Sequence, residues 1–212
     1  MLNKRKSFYC LIISFISCFV LSNLHAQPGS TDNTFNPFDI GRGIGDGVNF
    51  GSVTSSFIQA DGKIVIAGTF TAFAGYPTTY IVRLHPDGKI DSSFVSTSSN
   101  SGLIYSIAMQ SDGKIIVAGS FTSFGGNSVG RIARMNSNGT YDNTFNVGGA
   151  GFNGTVTKLV IQPDDKILAI GSFGLVNTST TTLGVARLLA NGNSDASFST
   201  GSSTNSEVSA IA

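Results

Sequence analysis

The sequence contains no tryptophan, two histidines and two cysteines, and charged residues make up only 12% of it. Both cysteines, Cys10 and Cys18, lie near the N-terminus. If that segment is removed, the rest of the chain can form neither a disulfide bond nor a cysteine-ligated metal site. His85 is then the only histidine, beside a Pro-Asp-Gly turn. A single histidine without a partner favours a surface turn residue over catalysis.

The first residues predict a secretory signal peptide in residues 1–26. Three cations at positions 4–6 precede an apolar run from Phe8 to Leu21, and the small residue Ala26 follows. This order is typical of a signal cleaved before Gln27. The run is too short to favour a transmembrane span, and no later segment is as apolar. We therefore expect a protein that is secreted or held at the outer cell surface.

A lipoprotein anchored at Cys18 is the alternative. The residues Phe15 to Cys18 loosely match a bacterial lipoprotein signal. The bulky Phe15 and the apolar residues after Cys18 argue against it.

The charge of the mature chain speaks against nucleic acid as a partner. Removing the signal peptide leaves ten lysines and arginines against twelve acidic residues, so the net charge is about −2. The charges are scattered singly, whereas phosphate backbones require a basic stripe.

The sequence repeats itself with a period of 51 to 52 residues. Each repeat has a segment that begins with Gln-x-Asp and ends in Phe: 59–70, 110–121 and 162–173. An arginine-containing apolar stretch follows, and an Asp-x-(Ser/Thr)-Phe motif ends each unit at Phe94, Phe145 and Phe198. We assign repeat 1 to residues 53–94, repeat 2 to 95–145 and repeat 3 to 146–198.

The two ends carry partial units. Residues 27–52 contain a copy of the ending motif, from Asp32 to Phe35, and a glycine-rich connection, while residues 199–212 begin a further repeat. The expectation is a fragment of a longer protein, or several copies that associate through open blade edges.

Each repeat is predicted to hold four short strands, A to D, making the protein all-β. In repeat 1 these are Val53 to Gln59, Lys63 to Phe70, Tyr80 to His85 and Lys89 to Phe94. Strand B is apolar on both faces, which indicates that neighbouring units cover both sides of each sheet. Stacked antiparallel β-propeller blades provide this arrangement.

The turns predict one ion pair in each repeat. A three-residue hairpin loop with glycine in the left-handed conformation places Arg83 opposite Asp91. The same spacing pairs Arg134 with Asp142 and Arg187 with Asp195. We interpret these as structural pairs that hold strands C and D together.

The core motif Gln-x-Asp-Gly-Lys-Ile, followed by Ala-Gly-x-Phe and by Arg-(Leu/Met)-x-x-x-Gly-x-x-Asp-x-(Ser/Thr)-Phe, resembles the delta-60 repeat family. The resemblance covers nearly all of residues 32–212. It implies a β-propeller repeat of large secreted or surface-attached bacterial proteins, with no general activity to transfer. Repeat 3 departs from the motif at Asp165, which replaces glycine, and in a longer loop from Val176 to Leu183. Aspartate tolerates the left-handed conformation.

Other motifs are explained as turns. The segment from Asn136 to Asp142 resembles part of a calcium loop, but its counterparts in the other repeats lose the first ligand, and none has a closing glutamate. The glycine-rich segment from Gly41 to Gly47 lacks the Lys-(Ser/Thr) of a phosphate-binding loop. The tryptophan-containing box of propeller sialidases is absent. We therefore predict no metal and no cofactor.

The D–A and B–C connections vary between repeats, and rigid scaffolds usually place binding chemistry on such loops. Four aromatic residues are candidates for this surface: Phe73, Tyr76, Phe124 and Phe152. Alternatively, they fill gaps between the blades.

The predicted function is a non-enzymatic, exported scaffold that presents these loops to a protein or cell-surface partner. The alternatives are a carbohydrate-binding or adhesive module, and a fragment of a secreted hydrolase or lyase.

Overall fold

The computed structural model describes residues 47–95, 101–177, 180–181 and 184–199. These residues all belong to one compact unit. The described residues contain strands and turns and no helix, and so none that could cross a membrane. The predicted signal peptide, Cys18, the predicted partial unit at residues 32–35 and the predicted start of a further repeat after residue 199 lie outside the described residues.

The strands fall into three similar groups along the chain. They are β1 (Val48–Asn49), β2 (Val53–Ile58), β3 (Ile64–Gly68), β4 (Ala72–Phe73), β5 (Tyr76–Pro77), β6 (Ile81–Leu84), β7 (Ile104–Met109), β8 (Ile115–Gly119), β9 (Ser123–Phe124), β10 (Asn127–Ser128), β11 (Ile132–Met135), β12 (Thr155–Ile161), β13 (Ile167–Ser172), β14 (Leu175–Val176), β15 (Thr180–Thr181) and β16 (Val185–Leu188). Each group is one blade.

Each blade is an antiparallel sheet in which strand B lies in the centre, between A and C. The strand orders are β2-β3-β6, β7-β8-β11 and β12-β13-β16. In the A–B turn of repeat 1, the amide of Gln59 donates to the carbonyl of Lys63 at 2.8 Å, and Gly62 has a φ of 81°. The predicted three-residue hairpin loop is thus present. Asp165 holds the same position in repeat 3 with a φ of 61°.

Strand D is shorter than the sequence predicts. Of the stretch from Lys89 to Phe94, only Ile90 pairs with strand C, through an isolated bridge to Leu84. The chain turns immediately afterwards because Asp91 Oδ1 accepts hydrogen bonds from the amide of Ser93 at 3.0 Å and from its hydroxyl at 2.6 Å. This local bonding competes with extended structure. The fourth strand is therefore a bridge followed by a turn.

A small hairpin lies between strands B and C of each blade. In repeat 1, β4 pairs with β5 across Ala74 and Gly75, whose φ angles are 47° and 78°. In repeat 2, Gly125 and Gly126 take the corresponding positions, with φ of 57° and 78°. Two positive φ angles in a two-residue loop are typical of the type I′ hairpin turn. The segment before strand A packs beside this hairpin; in repeat 1, β1 pairs with β4.

The core consists of layers between the blades. Val65 and Ala67, on one face of β3, belong to the same apolar cluster as Ile115 and Val117 of the next blade. The opposite face of β8 contributes Ile116 to the cluster shared with repeat 3. The prediction that strand B is covered on both sides is confirmed for β8, in which all five residues are buried.

Polar contacts also join the strands A of neighbouring blades. Each strand A has an irregular register near its start, at Val53/Ser55, Ile104/Ser106 and Val156/Lys158. The hydroxyl of Ser55 accepts a hydrogen bond from the amide of Ile107 at 3.1 Å. Ser106 in the same way accepts one from Leu159 at 3.0 Å. The outer edge of β7 and that of β12 thus each donate a backbone hydrogen bond to the strand A of the preceding blade.

Candidate functional site

A groove lies between the B–C hairpin and strand D of repeat 1. It has a volume of about 630 Å³. Its lining includes Phe73, Ala74 and Tyr76 from the hairpin and Lys89 and Ile90 from the D segment. Tyr76 is 68% exposed, whereas Phe73, its partner across the hairpin, is buried. We call this the hairpin groove of repeat 1.

Repeat 2 has a groove at the corresponding place, with a volume of about 370 Å³. Its lining includes Asn127, Tyr141 and Asn143. In repeat 1 the corresponding positions of the groove are occupied by Tyr76, Ile90 and Ser92. The glycine-rich segment after Phe145 forms the rest of the wall. Repeats 1 and 2 therefore have a groove at the same position, but different side chains line it. Loops carried by rigid elements can in this way change their surface without changing the fold.

The predicted ion pairs are present in all three blades. The distance from arginine Nε to aspartate Oδ2 is 2.8 Å for Arg83–Asp91, Arg134–Asp142 and Arg187–Asp195. In each blade, the guanidinium also lies over the phenylalanine ring that ends the motif, 4.8 to 4.9 Å from the ring centre. A lysine just before strand B completes the cluster; Lys63 Nζ lies 3.2 Å from Asp91 Oδ2.

Two of these arginines also hold the next blade. Arg83 Nη1 donates to the carbonyl of Ser137 at 2.6 Å, and Arg134 Nη1 donates to the carbonyl of Ala190 at 2.9 Å. We call this arrangement the arginine latch. The sequence predicts the bond within a blade, and the structure adds the bond between blades. Because the acceptors are backbone carbonyls of another repeat, no local pattern marks them.

Opposing effects set the pKa values of the latch carboxyls. For Asp91 and Asp142, burial alone would raise the pKa, but hydrogen bonds from the following hydroxyl residue and the nearby cations together outweigh it and hold the pKa well below its ordinary value. For Asp195, the hydrogen bond from the Ser197 side chain is the largest effect, and the pKa falls to about 2. All three carboxylates are thus ionised at neutral pH and bound within the blade.

The latch residues coincide with the segments that match a known family. The family described as "Domain of unknown function (DUF5122) beta-propeller" matches residues 59–94, 110–145 and 162–198, which is about half of the chain. Each match starts at the glutamine of the A–B turn and ends at the phenylalanine under the arginine. The chain belongs to this β-propeller family. It is the family of the delta-60 repeat that the sequence resembles. A comparison with curated proteins gave no match.

Within the blades of this propeller family member, the four candidate aromatics divide unequally. Phe73, Phe124 and Phe152 are buried, with 7%, 0% and 1% exposure. Phe124 packs against Phe121 with ring centres 5.4 Å apart, and Phe152 packs against Phe173 at 4.5 Å. The prediction of a binding surface is wrong for Phe124 and Phe152, which belong to apolar clusters shared by two repeats and so fill gaps between the blades, as the alternative interpretation expects. Burying these rings removes their apolar area from water. Phe73 packs within repeat 1 and still lines the hairpin groove. Only Tyr76 is exposed.

The segment that resembles a calcium loop forms a hairpin turn. Asn138 Oδ1 accepts hydrogen bonds from the amide of Thr140 at 3.1 Å and from its hydroxyl at 2.8 Å. Gly139 adopts a φ of 91° in the same turn. The oxygen that would bind a cation is therefore engaged in the turn itself. Within the described ranges, no group of three or more His, Cys, Asp or Glu side chains is placed to hold a metal ion.

His85 lies beside the latch of repeat 1. Its Nε2 is 3.8 Å from Asp91 Oδ1, and its side chain is 46% exposed. The sequence places it in a surface turn, which agrees with the structure, but the contact with a buried carboxylate depends on the hairpin register. Most of the glycine-rich segment that begins at Gly41 lies outside the described residues.

Proposed function

We propose that this protein is an exported, non-enzymatic propeller module whose hairpin grooves contact a protein or cell-surface partner. The supporting observation is that the grooves of repeats 1 and 2 lie at the same place but differ in their side chains. The latch residues, by contrast, recur unchanged and are bound within and between blades. A constant frame with a varied surface suits recognition better than a shared chemical reaction.

A capture experiment tests the role of the groove. The mature chain, residues 27–212, is immobilised and exposed to surface proteins of the producing bacterium. Tyr76→Ser removes the exposed aromatic ring of the groove. Ile58→Ser is the matched control because Ile58 is also strongly exposed, at 69%, but does not line the groove. We expect a protein that wild type and Ile58→Ser retain and that Tyr76→Ser loses at least tenfold, about 1.4 kcal/mol.

Equal retention by both variants would contradict a role for the groove. Equal loss by both would indicate nonspecific apolar adhesion instead of recognition.

Carbohydrate binding is the second candidate, and the exposed ring of Tyr76 favours it. Tyrosine combines a large apolar face with a polar hydroxyl, which suits the face of a sugar ring. A glycan array with the mature chain distinguishes this candidate: a signal that Tyr76→Ala removes supports it, and a blank array argues against it. Phe124→Ala is unsuitable as a second variant because the buried ring supports the fold.

Export is tested separately by the N-terminus of the protein isolated from the culture medium. We expect it to begin at Gln27, since Ala26 ends the predicted signal. A lipidated chain that begins at Cys18 and partitions into detergent would support the lipoprotein alternative. Retention of residues 1–26 in a cytoplasmic protein would contradict export.

A further inference from the structure

The two interfaces between blades differ at the A–B turn. Between repeats 2 and 3, the carboxylate of Asp165 accepts hydrogen bonds from the amide of Ser111, at 2.8 Å, and from the Ser111 hydroxyl. Between repeats 1 and 2, Gly113 takes the position of Asp165, and Ala60 takes that of Ser111. The first interface therefore lacks the carboxylate that joins the second.

The two interfaces also differ in the hydrogen bonding of a glutamine side chain. The amide of Gln110 is fully engaged: Oε1 accepts from Arg134 Nη1 at 3.2 Å, and Nε2 donates to the carbonyls of Asp165 at 3.1 Å and Ala190 at 3.0 Å. Gln59 is its counterpart at the first interface. Its Nε2 contacts Met109 Sδ at 3.9 Å, while its Oε1 is buried and accepts no hydrogen bond from any described residue. A buried oxygen without a donor is unfavourable.

The space beside Gln59 is a cleft. It has a volume of about 560 Å³, and its lining includes Gln59, Ala60, Arg83, Gly113 and Ser137. A Cβ added to Gly113 would meet only Ser137 Cβ, at 3.9 Å, so the cleft has room for the missing side chain.

We propose that this cleft binds a small α-hydroxy carboxylate. The carboxylate of the ligand takes the place of the Asp165 side chain and accepts a hydrogen bond from the amide of Ala60. On binding, the Gln59 side chain turns so that its Oε1 faces the cleft and accepts a hydrogen bond from the neighbouring hydroxyl. Arg83 lies in the same wall, where Asp91 balances its charge at 2.8 Å.

The acidic residue Asp61 also lines the cleft, at 56% side-chain exposure, and Lys63 Nζ lies 3.5 Å from its carboxylate. The second interface shows that this arrangement accommodates a further carboxylate. There Asp112, with Lys114 Nζ at 3.9 Å, takes the position of Asp61 in the turn that bonds Asp165. The site uses none of the residues of the hairpin grooves, so it stands apart from the proposed recognition role.

Nuclear magnetic resonance of the ¹⁵N-labelled mature chain tests the proposal, with glycolate as the probe, acetate as the carboxylate without a hydroxyl, and sodium chloride at equal ionic strength as the control. We expect saturable glycolate shifts of the Ala60 and Gly113 amides and of the Gln59 side-chain amide in the millimolar range, as suits so small a ligand. Acetate should bind about fivefold more weakly because it lacks the donor for Gln59.

Two exchanges between the interfaces locate the site. Gly113→Asp supplies the carboxylate within the chain and should abolish the shifts; it should fold because Asp165 adopts a φ of 61°, near the 82° of Gly113. Asp165→Gly should open the second interface and add glycolate shifts at Ser111 and the Gln110 side chain.

The proposal is overturned if wild type shows no saturable shift beyond that of sodium chloride, or if Gly113→Asp binds glycolate as wild type does. Should Gly113→Asp fail to fold, Asp165→Gly decides: shifts at Gln110 and Ser111 support the carboxylate position, and their absence refutes it.

Discussion

Strand A occupies the same position in the first and middle blades but is buried to very different extents. In the middle blade, Ile104 and Ile107 are 0% and 6% exposed because repeat 1 covers them. In the first blade, Val53 is 45% exposed, and Ser56, at the position of Ile107, is also exposed. The backbone irregularity near the start of the strand is present in both. Burial in this fold is therefore supplied by the neighbouring repeat, as in other stacked repeat proteins.

The comparison predicts that shortening a buried side chain of the middle blade lowers the free energy of unfolding far more than shortening an exposed side chain of the first blade. Phe121 is fully buried in the cluster shared by repeats 1 and 2, and Phe121→Ala should lower the free energy of unfolding by about 3–5 kcal/mol. Ile58→Ala, on the exposed face, should change it by less than about 0.5 kcal/mol. Urea unfolding followed by circular dichroism measures both. Similar losses in the two variants would show that another surface covers Ile58 in solution.

The arginine latch should show the same contrast with a smaller effect. Arg134 bonds Asp142, Gln110 and the backbone of repeat 3, so Arg134→Ala should cost about 3 kcal/mol. The described partners of Arg187 all lie in its own blade, and its side chain is 21% exposed. Arg187→Ala should cost about 1–2 kcal/mol. Equal costs would mean that the bond between blades contributes little to stability.

Acid should weaken the latches in two stages, and this is the smallest of the three effects. A carboxyl whose pKa is lower in the folded state than its ordinary 3.8 stabilises the fold fully above that value and loses the contribution as the pH falls. We therefore expect constant stability above about pH 5 and a decline that begins near pH 4. The contribution of Asp195 should be lost by about pH 2, its folded-state pKa, whereas those of Asp91 and Asp142 persist to lower pH.

The measurement is the urea midpoint from about pH 6 to pH 2 for wild type, Asp195→Asn and Asp142→Asn. Each variant should be less stable than wild type at neutral pH and should lose less stability on acidification. A variant as steeply dependent on pH as wild type would exclude its carboxylate as a source of the decline.

The sequence predicts the parts of the fold that depend on local register. The turn after Gln59 lies in the A–B hairpin, and the spacing from Arg83 to Asp91 lies in the C–D hairpin. Each depends on a single hairpin, so the hydrogen bond between Arg83 and Asp91 follows from local sequence. The unbroken apolar run of β8 likewise identifies two buried faces before any neighbour is known. These features need only a period and a turn type.

The features that escape prediction depend on contacts between repeats or on competing local bonds. The burial of Phe124 and Phe152 depends on apolar clusters shared with the preceding repeat, so the local sequence leaves both a surface and a gap-filling position open. In the sequence, Asp165 is only a tolerated replacement of glycine in a turn. The structure shows its contact: its carboxylate accepts a hydrogen bond from the amide of Ser111 in the preceding repeat. The shortening of strand D follows from the Asp91–Ser93 bonds, a competition that the strand pattern alone does not reveal.

The choice of acceptor in the latch has a consequence for how such a chain can change. Arg83 donates to the main-chain carbonyl of Ser137, and Arg134 donates to that of Ala190. The two acceptor residues have different side chains. Because each arginine bonds only the main chain of the next repeat, this bond does not depend on the side chain at the acceptor position. Repeats can therefore be duplicated, deleted or exchanged within a gene while the arginine bond of each junction forms again.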